Sequence, residues 1–199
     1  MVVVGLVELD DIQVSGPGGL LERLAVLPDS RSSHGRLYPL AGLLTIAAAA
    51  VLSGSRTYTM IGEFAQELPQ ATLARLGMWR RPYSTRYVAP SEGTLRRVLQ
   101  EVDPDGLDRL VGSWLAEQQR PAYADAEPDA VAVDGKTLRG ARQADGRQVQ
   151  LFAALAHGSG TVFAQREVPQ GTNEITQFQP LLEEVDLEGK VVTADALHT

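Results

Sequence analysis

The chain has 199 residues, 44% of them hydrophobic and 22% charged, the composition of a globular protein with room for one sizeable domain or two small ones. It has no cysteine, which excludes a disulfide framework and any thiolate zinc site, zinc-finger DNA binding included, and fits the reducing cytoplasm where we expect the protein to work. Its net charge of −7 is unlike a uniformly basic nucleic-acid binder, but between residues 71 and 97 stand Arg75, Arg80, Arg81, Arg86, Arg96 and Arg97 against a single acid, Glu92.

The N-terminal stretch through about residue 31 holds two apolar segments. One is residues 2–7. The other carries Leu20, Leu21, Leu24 and Leu27 at helical spacing. A Ser-Gly-Pro-Gly-Gly turn or linker separates them. Residues 1–10 lack a basic leader and do not read as a signal peptide; residues 1–36 are expected to form a leader able to flex. Residues 37–54 carry no charge and approach the ~20 residues of a membrane span. Pro39, Gly42, Thr45, Ser53 and four consecutive alanines (47–50) argue instead for a buried helix and no membrane partner.

Residues 37–120 are predicted to be a helical domain. Leu40, Leu43, Leu44, Ala47 and Val51 repeat at the 3.6-residue period, and Ile61, Phe64, Ala65 and Leu68 mark a second helix over 58–68. Ser91 is a predicted N-cap for a helix through Leu95, Val98, Leu99 and Val102, and a last helix covers 105–118. An acidic, proline-containing linker follows at 121–129. Residues 130–199 then read β-β-β-α-β: a short apolar strand at 131–134, an alternating strand at 149–156 with Val149, Leu151, Ala153 and Leu155 on one face, and a returning strand at 161–168. Next come a helix capped by Asn173 and kinked or restarted at Pro180, and a buried strand at 190–194.

Two acids fall at the ends of predicted strands, Asp134 in Val-Ala-Val-Asp-Gly-Lys (131–136) and Asp195 in Val-Val-Thr-Ala-Asp-Ala (191–196). Each alone reads as well as a turn cap. On parallel neighbouring strands they would stand at the same end of one sheet and could hold Mg²⁺ (or Mn²⁺), a hard cation that takes oxygen ligands at about 2.0–2.1 Å.

Several segments, in order, resemble the insertion-sequence transposases of the ISAs type, to which the H-repeat-associated proteins belong. In the second half they are Asp-Gly-Lys-Thr-Leu-Arg-Gly (134–140), Thr-Asn-Glu-Ile (172–175), Leu181-Leu182 and Val-Thr-Ala-Asp-Ala-Leu-His-Thr (192–199). In the helical part they are Leu-Ser-Gly-Ser-Arg (52–56), Ile-Gly-Glu-Phe (61–64), Pro90-Ser91, Thr-Leu-Arg-Arg-Val (94–98) and Trp114-Leu115.

The resemblance covers about residues 38–199 and implies an α+β chain: a helical transposase-associated domain, then the first part of an RNase H-like catalytic domain with a DDE carboxylate triad. It implies DNA strand cleavage and transfer at transposon ends, with Asp134 and Asp195 as the first two catalytic, metal-binding acids. It points to Lys136, Arg139, Arg96 and Arg97 as DNA contacts, and to Asn173, Glu174 and His198 as residues around the site. Where the family more often has His-Asp after Pro-Ser, this chain has Glu92 and Gly93, which weakens a DNA role for that turn. The family's third acid is a glutamate well downstream, and four residues follow Asp195 here. The expectation is therefore a truncated chain, inactive alone, that acts as a homo-oligomer or with a complementing transposase chain. The alternative is a non-catalytic DNA-binding or regulatory remnant.

Overall fold

Leu20, Leu24 and Leu27 are all buried, the first two on helix α1 (Leu20–Leu24), which packs on α2 (Leu40–Leu52). The structure, a computed structural model, describes residues 18–34, 36–119, 130–142, 145–157, 160–169, 171–172 and 174–194. It divides into two compact units, residues 1–107 and 108–199.

In the first unit α2 is the hub. Its one-letter run LAGLLTIAAAAVL buries Leu43, Leu44, Ile46, Ala47, Ala49 and Ala50. Small side chains let neighbours close in, and Gly42 shows how tightly: a Cβ there would lie 2.3 Å from the Leu76 carbonyl oxygen and 2.5 Å from Met78 Cε. Thr45 is buried and sends its hydroxyl to the Ala41 carbonyl at 2.8 Å, which removes its need for an outside partner. Val51, expected on the buried stripe, is exposed, because α2 ends one residue later beside the equally exposed Leu52.

Helix α3 (Tyr58–Glu67) is capped by Thr57, whose hydroxyl accepts from Met60 N at 3.2 Å. The short α4 (Gln70–Arg75) follows. Helix α5 (Glu92–Glu101) starts at the predicted cap: Ser91 Oγ accepts from Thr94 N at 3.3 Å. Gly62 lets α3 meet α5, since a Cβ there would lie 2.7 Å from Glu92 Cβ. Among the described residues no helix is long and apolar enough to cross a membrane.

The described part of the expected leader, from residue 18 on, packs into this unit. Besides α1, the segment after it is held by Asp29, which accepts from Arg31 Nε and Nη2 at 2.8 Å each and lies 3.3 Å from Arg36 Nε. Arg31 Nη2 also reaches the Tyr38 carbonyl at 3.0 Å. Residues 1–17 lie outside the described residues. The division between units falls inside α6 (Pro104–Gln119) rather than at the expected linker, which is also outside the described residues.

The second unit is a mixed four-stranded sheet in the order β3-β2-β1-β4, formed by β1 (Ala130–Arg142), β2 (Gln148–Ala156), β3 (Val162–Glu167) and β4 (Val191–Ala194), with α7 (Glu174–Leu182) between β3 and β4 in sequence. The chain is thus α+β, and the β-β-β-α-β order is as expected. β1 pairs antiparallel with β2 and parallel with β4. The core face carries Val131, Val133, Phe152, Ala154 and Ala164 under Leu181, with the Phe152 and Phe178 rings 6.2 Å apart. On α6, Asp108 accepts from Gln165 N at 3.0 Å, and a Cβ at Gly112 would lie 2.0 Å from the Phe163 carbonyl oxygen.

Four details differ from expectation. β1 does not stop at Asp134 but runs to Arg142, because β2 keeps pairing with it through Thr137–Gln150. The buried face of β2 is Phe152, Ala154 and Ala156, not the Val149–Leu155 set, because Phe178 and Leu181 lie over Phe152. β4 is an edge strand, with Val191 52% exposed, rather than a buried one. Of the two expectations at Pro180, a kink or a restart, the restart does not occur: one helix, α7, runs through Pro180 near its C-terminal end.

Two outcomes follow for the first unit. Gly42→Ala should lower stability by about 1–3 kcal/mol through overpacking against a backbone carbonyl; an unchanged thermal midpoint would contradict that packing. The hydrogen bonds from Arg31 hold the Asp29 carboxyl below the usual carboxylate range, against the opposing pull of burial. Its stabilising effect is therefore present at neutral pH and lost as pH falls through that lowered value. The melting difference between wild type and Asp29→Asn should be largest near pH 7 and shrink in acid; a constant difference would show that the charge is not responsible.

Candidate metal and nucleic-acid site

Side chains alternate along a strand, so Ala132, Asp134 and Lys136 share the face opposite the buried Val131 and Val133. Asp134 sits across from Ala153 on β2, with Ala132 next to it on its own face. These small neighbours leave its side chain 53% exposed. Lys136, two residues on, brings Nζ to 3.6 Å from Asp134 Oδ2; a pair this exposed contributes ~0–1 kcal/mol. The backbone of Asp134 is fixed by its place in the β1–β2 ladder.

On the other edge of β1 the parallel register runs Ala130–Val191, Val131–Val192, Ala132–Thr193 and Val133–Ala194. His157 reinforces this order. Its backbone N–H donates to the Ala130 carbonyl at 2.8 Å, and its Nε2 lies 3.1 Å from Thr193 Oγ1 on β4.

The sequence-derived site residues divide as follows. Asp134 and Lys136 are together. Asp195, His198 and Asn173 lie outside the described residues, as do the side chains of Glu174, the first residue of α7, and Arg139, on β1. Arg96 and Arg97 belong to α5 in the first unit. Arg96 is engaged within the protein, with Nη2 2.5 Å from Glu92 Oε1 and its guanidinium 5.3 Å from the Tyr58 ring centroid. Arg97, its neighbour in sequence, is exposed.

A half-exposed carboxylate is the donor type that Mg²⁺ or Mn²⁺ takes, so Asp134 fits such an ion in chemistry. No group of three acidic, histidine or cysteine side chains suited to a metal occurs among the described residues.

The structure also reveals an element that periodicity did not single out. Residues 79–88 form a small hairpin: Arg80 bridges Tyr87 antiparallel, and Val88 N donates to the Trp79 carbonyl at 2.8 Å. Gln70 on α4 clamps it, donating from Nε2 to the Tyr87 carbonyl at 3.2 Å and accepting from Tyr87 N at 2.8 Å. The signal was Arg-Pro-Tyr-Ser (81–84), with proline where a tight turn favours it.

Residues 21–115 match the family model described as DDE_Tnp_1-associated. Among relatives, the "Putative protein YbfL" of Escherichia coli K12 is 26% identical over 180 residues, 89% of this chain and 45% of its own length. The "H repeat-associated putative transposase YhhI" of the same organism is 25% identical over 180 residues, with the same shares. An uncharacterized protein in the dhlA 3′ region of Xanthobacter autotrophicus is 30% identical over 174 residues, 86% of this chain and 56% of that protein. No solved structure matches significantly. Residues 21–115 thus match a transposase-associated domain, and the chain as a whole is similar to putative transposases of the H-repeat-associated group. It spans about half the length of the curated relatives it matches first.

Phe152 pairs with Gly135, next to Asp134, and is fully buried. Phe152→Ala should therefore destabilise the sheet unit by about 3–5 kcal/mol and speed amide exchange across residues 131–137. A loss under about 1 kcal/mol would contradict its place in the core.

Proposed function

We propose that this chain supplies the first two acids of a metal-dependent phosphodiester cleavage and strand-transfer enzyme acting at the ends of a mobile DNA element. In this reading the sheet is the beginning of an RNase H-like domain, and Asp134 and Asp195 are its paired carboxylates. The observation that carries it is the parallel β1–β4 register, whose last described pair, Val133–Ala194, is followed in sequence by Asp134 on one side and Asp195 on the other. The kinship with transposases supports the same reading.

Bound Mg²⁺ or Mn²⁺ would neutralise charge at the attacking and leaving oxygens of the phosphodiester. Asp134 holds a fixed anionic oxygen pair on a rigid strand. Lys136, pairing with it weakly, is free to exchange that carboxylate for a DNA phosphate, a role Arg139 shares. The work is positioning and charge placement rather than covalent chemistry by the protein.

Paramagnetic Mn²⁺ provides the test. Titration should broaden backbone amides of residues 131–137 and 191–194 selectively, and Asp134→Asn should abolish the effect. In gel shifts with DNA, Lys136→Gln should reduce the salt slope by about one, the value of one phosphate contact. Broadening that ignores Asp134 would overturn the metal site. Steep salt-dependent DNA binding without any metal effect at the sheet would put a non-catalytic DNA-binding or regulatory role in its place.

A further inference from the structure

We infer that the hairpin of residues 79–88 is a nucleic-acid contact in which Arg80, Arg81 and Arg86 grip phosphates while Tyr83 stacks on an unpaired base. The inference rests on the proposed action on DNA and assigns that action a surface in the helical unit.

Charge is the first support. The segment reads Trp-Arg-Arg-Pro-Tyr-Ser-Thr-Arg-Tyr-Val and contains three arginines and no acid, within a chain whose net charge is −7. All three arginines are exposed. None is in an ion pair with an acid among the described residues, whereas Arg31, Arg36 and Arg96 all are. Desolvating an arginine against a phosphate is easier when no internal carboxylate has to be displaced, and its planar fork matches phosphate geometry.

The tip is the second support. Tyr83 is fully exposed and has φ 57°, the one positive φ outside glycine among the described residues. Pro82 precedes it, and Ser84 N donates to the Arg81 carbonyl at 3.1 Å. Tyr83 is thus the third residue of a type II-like turn, a position where glycine is the relaxed choice. A bulky aromatic side chain is kept there against its backbone preference and fully in water. Such outliers are held by surrounding structure and cluster at functional positions.

The holding structure is visible. The Arg81 N–H reaches the Arg86 carbonyl at 3.3 Å, Arg86 N reaches Ser84 Oγ at 3.1 Å, and Gln70 pins Tyr87 through both of its backbone groups. The arginines and the ring are therefore presented by a braced ribbon, which lowers the ordering entropy lost on binding. Base stacking on an aromatic side chain tolerates any sequence, and an unpaired base at a DNA end or junction offers the free face it needs.

Fluorescence anisotropy with two DNAs tests this: a blunt duplex, and the same duplex with a three-nucleotide overhang carrying 2-aminopurine. Wild type should favour the overhang DNA and quench its 2-aminopurine. Tyr83→Ala should lose about tenfold on the overhang DNA, bind the blunt duplex within about twofold of wild type, and leave the salt slope unchanged; Tyr83→Phe should keep affinity and quenching. Tyr83→Gly should match Tyr83→Ala in binding while melting no lower than wild type, which separates contact from folding. Replacing Arg80, Arg81 and Arg86 with glutamine should reduce the salt slope by about two to three on both DNAs.

If wild type binds with a steep salt slope and these variants bind like it, the hairpin inference falls and the proposed function stands. If wild type binds neither DNA, the inference and the DNA part of the proposed function fall together, and the Mn²⁺ result at Asp134 still judges the metal part. Equal competition by polyglutamate, with no dependence on Tyr83, would mark the surface as one for acidic proteins and overturn the inference.

Discussion

β1 is paired on both edges, antiparallel to β2 and parallel to β4, and this double pairing fixes which residues of the strand face the core. Val131 and Val133 turn inward to pack with Phe152, Ala154 and Leu181; Ala132, Asp134 and Lys136 turn outward. A slip of one residue in either ladder would exchange the two sets. It would drive Asp134 into an apolar layer, where an unpaired carboxylate is strongly disfavoured, and would bring Val131 and Val133 out. Core burial and exposure of the acid are therefore one constraint. A cation site needs its donors held on rigid backbone, and continuation of the β1–β2 ladder beyond Asp134, to Thr137, provides that rigidity on the side that the sequence suggested was a free strand end.

Much of this was legible because it depends on local pattern. Ser91 as a cap, the helices at Tyr58–Glu67 and Pro104–Gln119, and the strand order all follow from spacing and turn residues that act within a few positions. What escaped depends on partners distant in sequence. Residues 136–142 are mostly polar and contain a glycine, so nothing local marks them as strand; pairing of Lys136, Thr137 and Arg142 with β2 holds the segment at both ends. β2 carries apolar residues on both faces, and periodicity cannot choose between two apolar faces. The choice is made by Phe178 and Leu181 of α7, more than twenty residues downstream. At the candidate site, Asp134 was legible as an acid after an apolar run, and its weak pairing with Lys136 was not, because the Asp-Gly-Lys spacing suggests a turn rather than an i, i+2 pair on one strand face.

Charge tells a similar story at another scale. A net charge of −7 governs the far field, but salt screens exposed charges over about 8–10 Å, so a three-arginine ribbon presents its own sign to anything that touches it. Position within the fold decides which arginines are available. Arg96 and Arg97 are adjacent in sequence, yet one helical residue step turns them about 100° apart. Both are exposed, but Arg96 pairs with Glu92 and lies over the Tyr58 ring. A motif that names both as a pair conceals this division.

The two lines of support for a transposase role are largely separate. The family model covers residues 21–115, the helical unit and part of α6, and stops before either acid. The chemical reading rests on the sheet, where a carboxylate stands next to the last described pair of a parallel ladder. Within that sheet the Asp134–Lys136 pair is poised rather than locked. At 3.6 Å and with both side chains more than half exposed, its attraction is screened to under about 1 kcal/mol. A divalent cation carries twice the charge of the ammonium and binds carboxylate oxygen directly, so in the proposed function Asp134 would exchange Lys136 for the ion at small cost. In the proposed function the released ammonium would then add a positive charge beside a bound phosphate, so that one exchange would prepare both the acid and its neighbour for a nucleic-acid backbone.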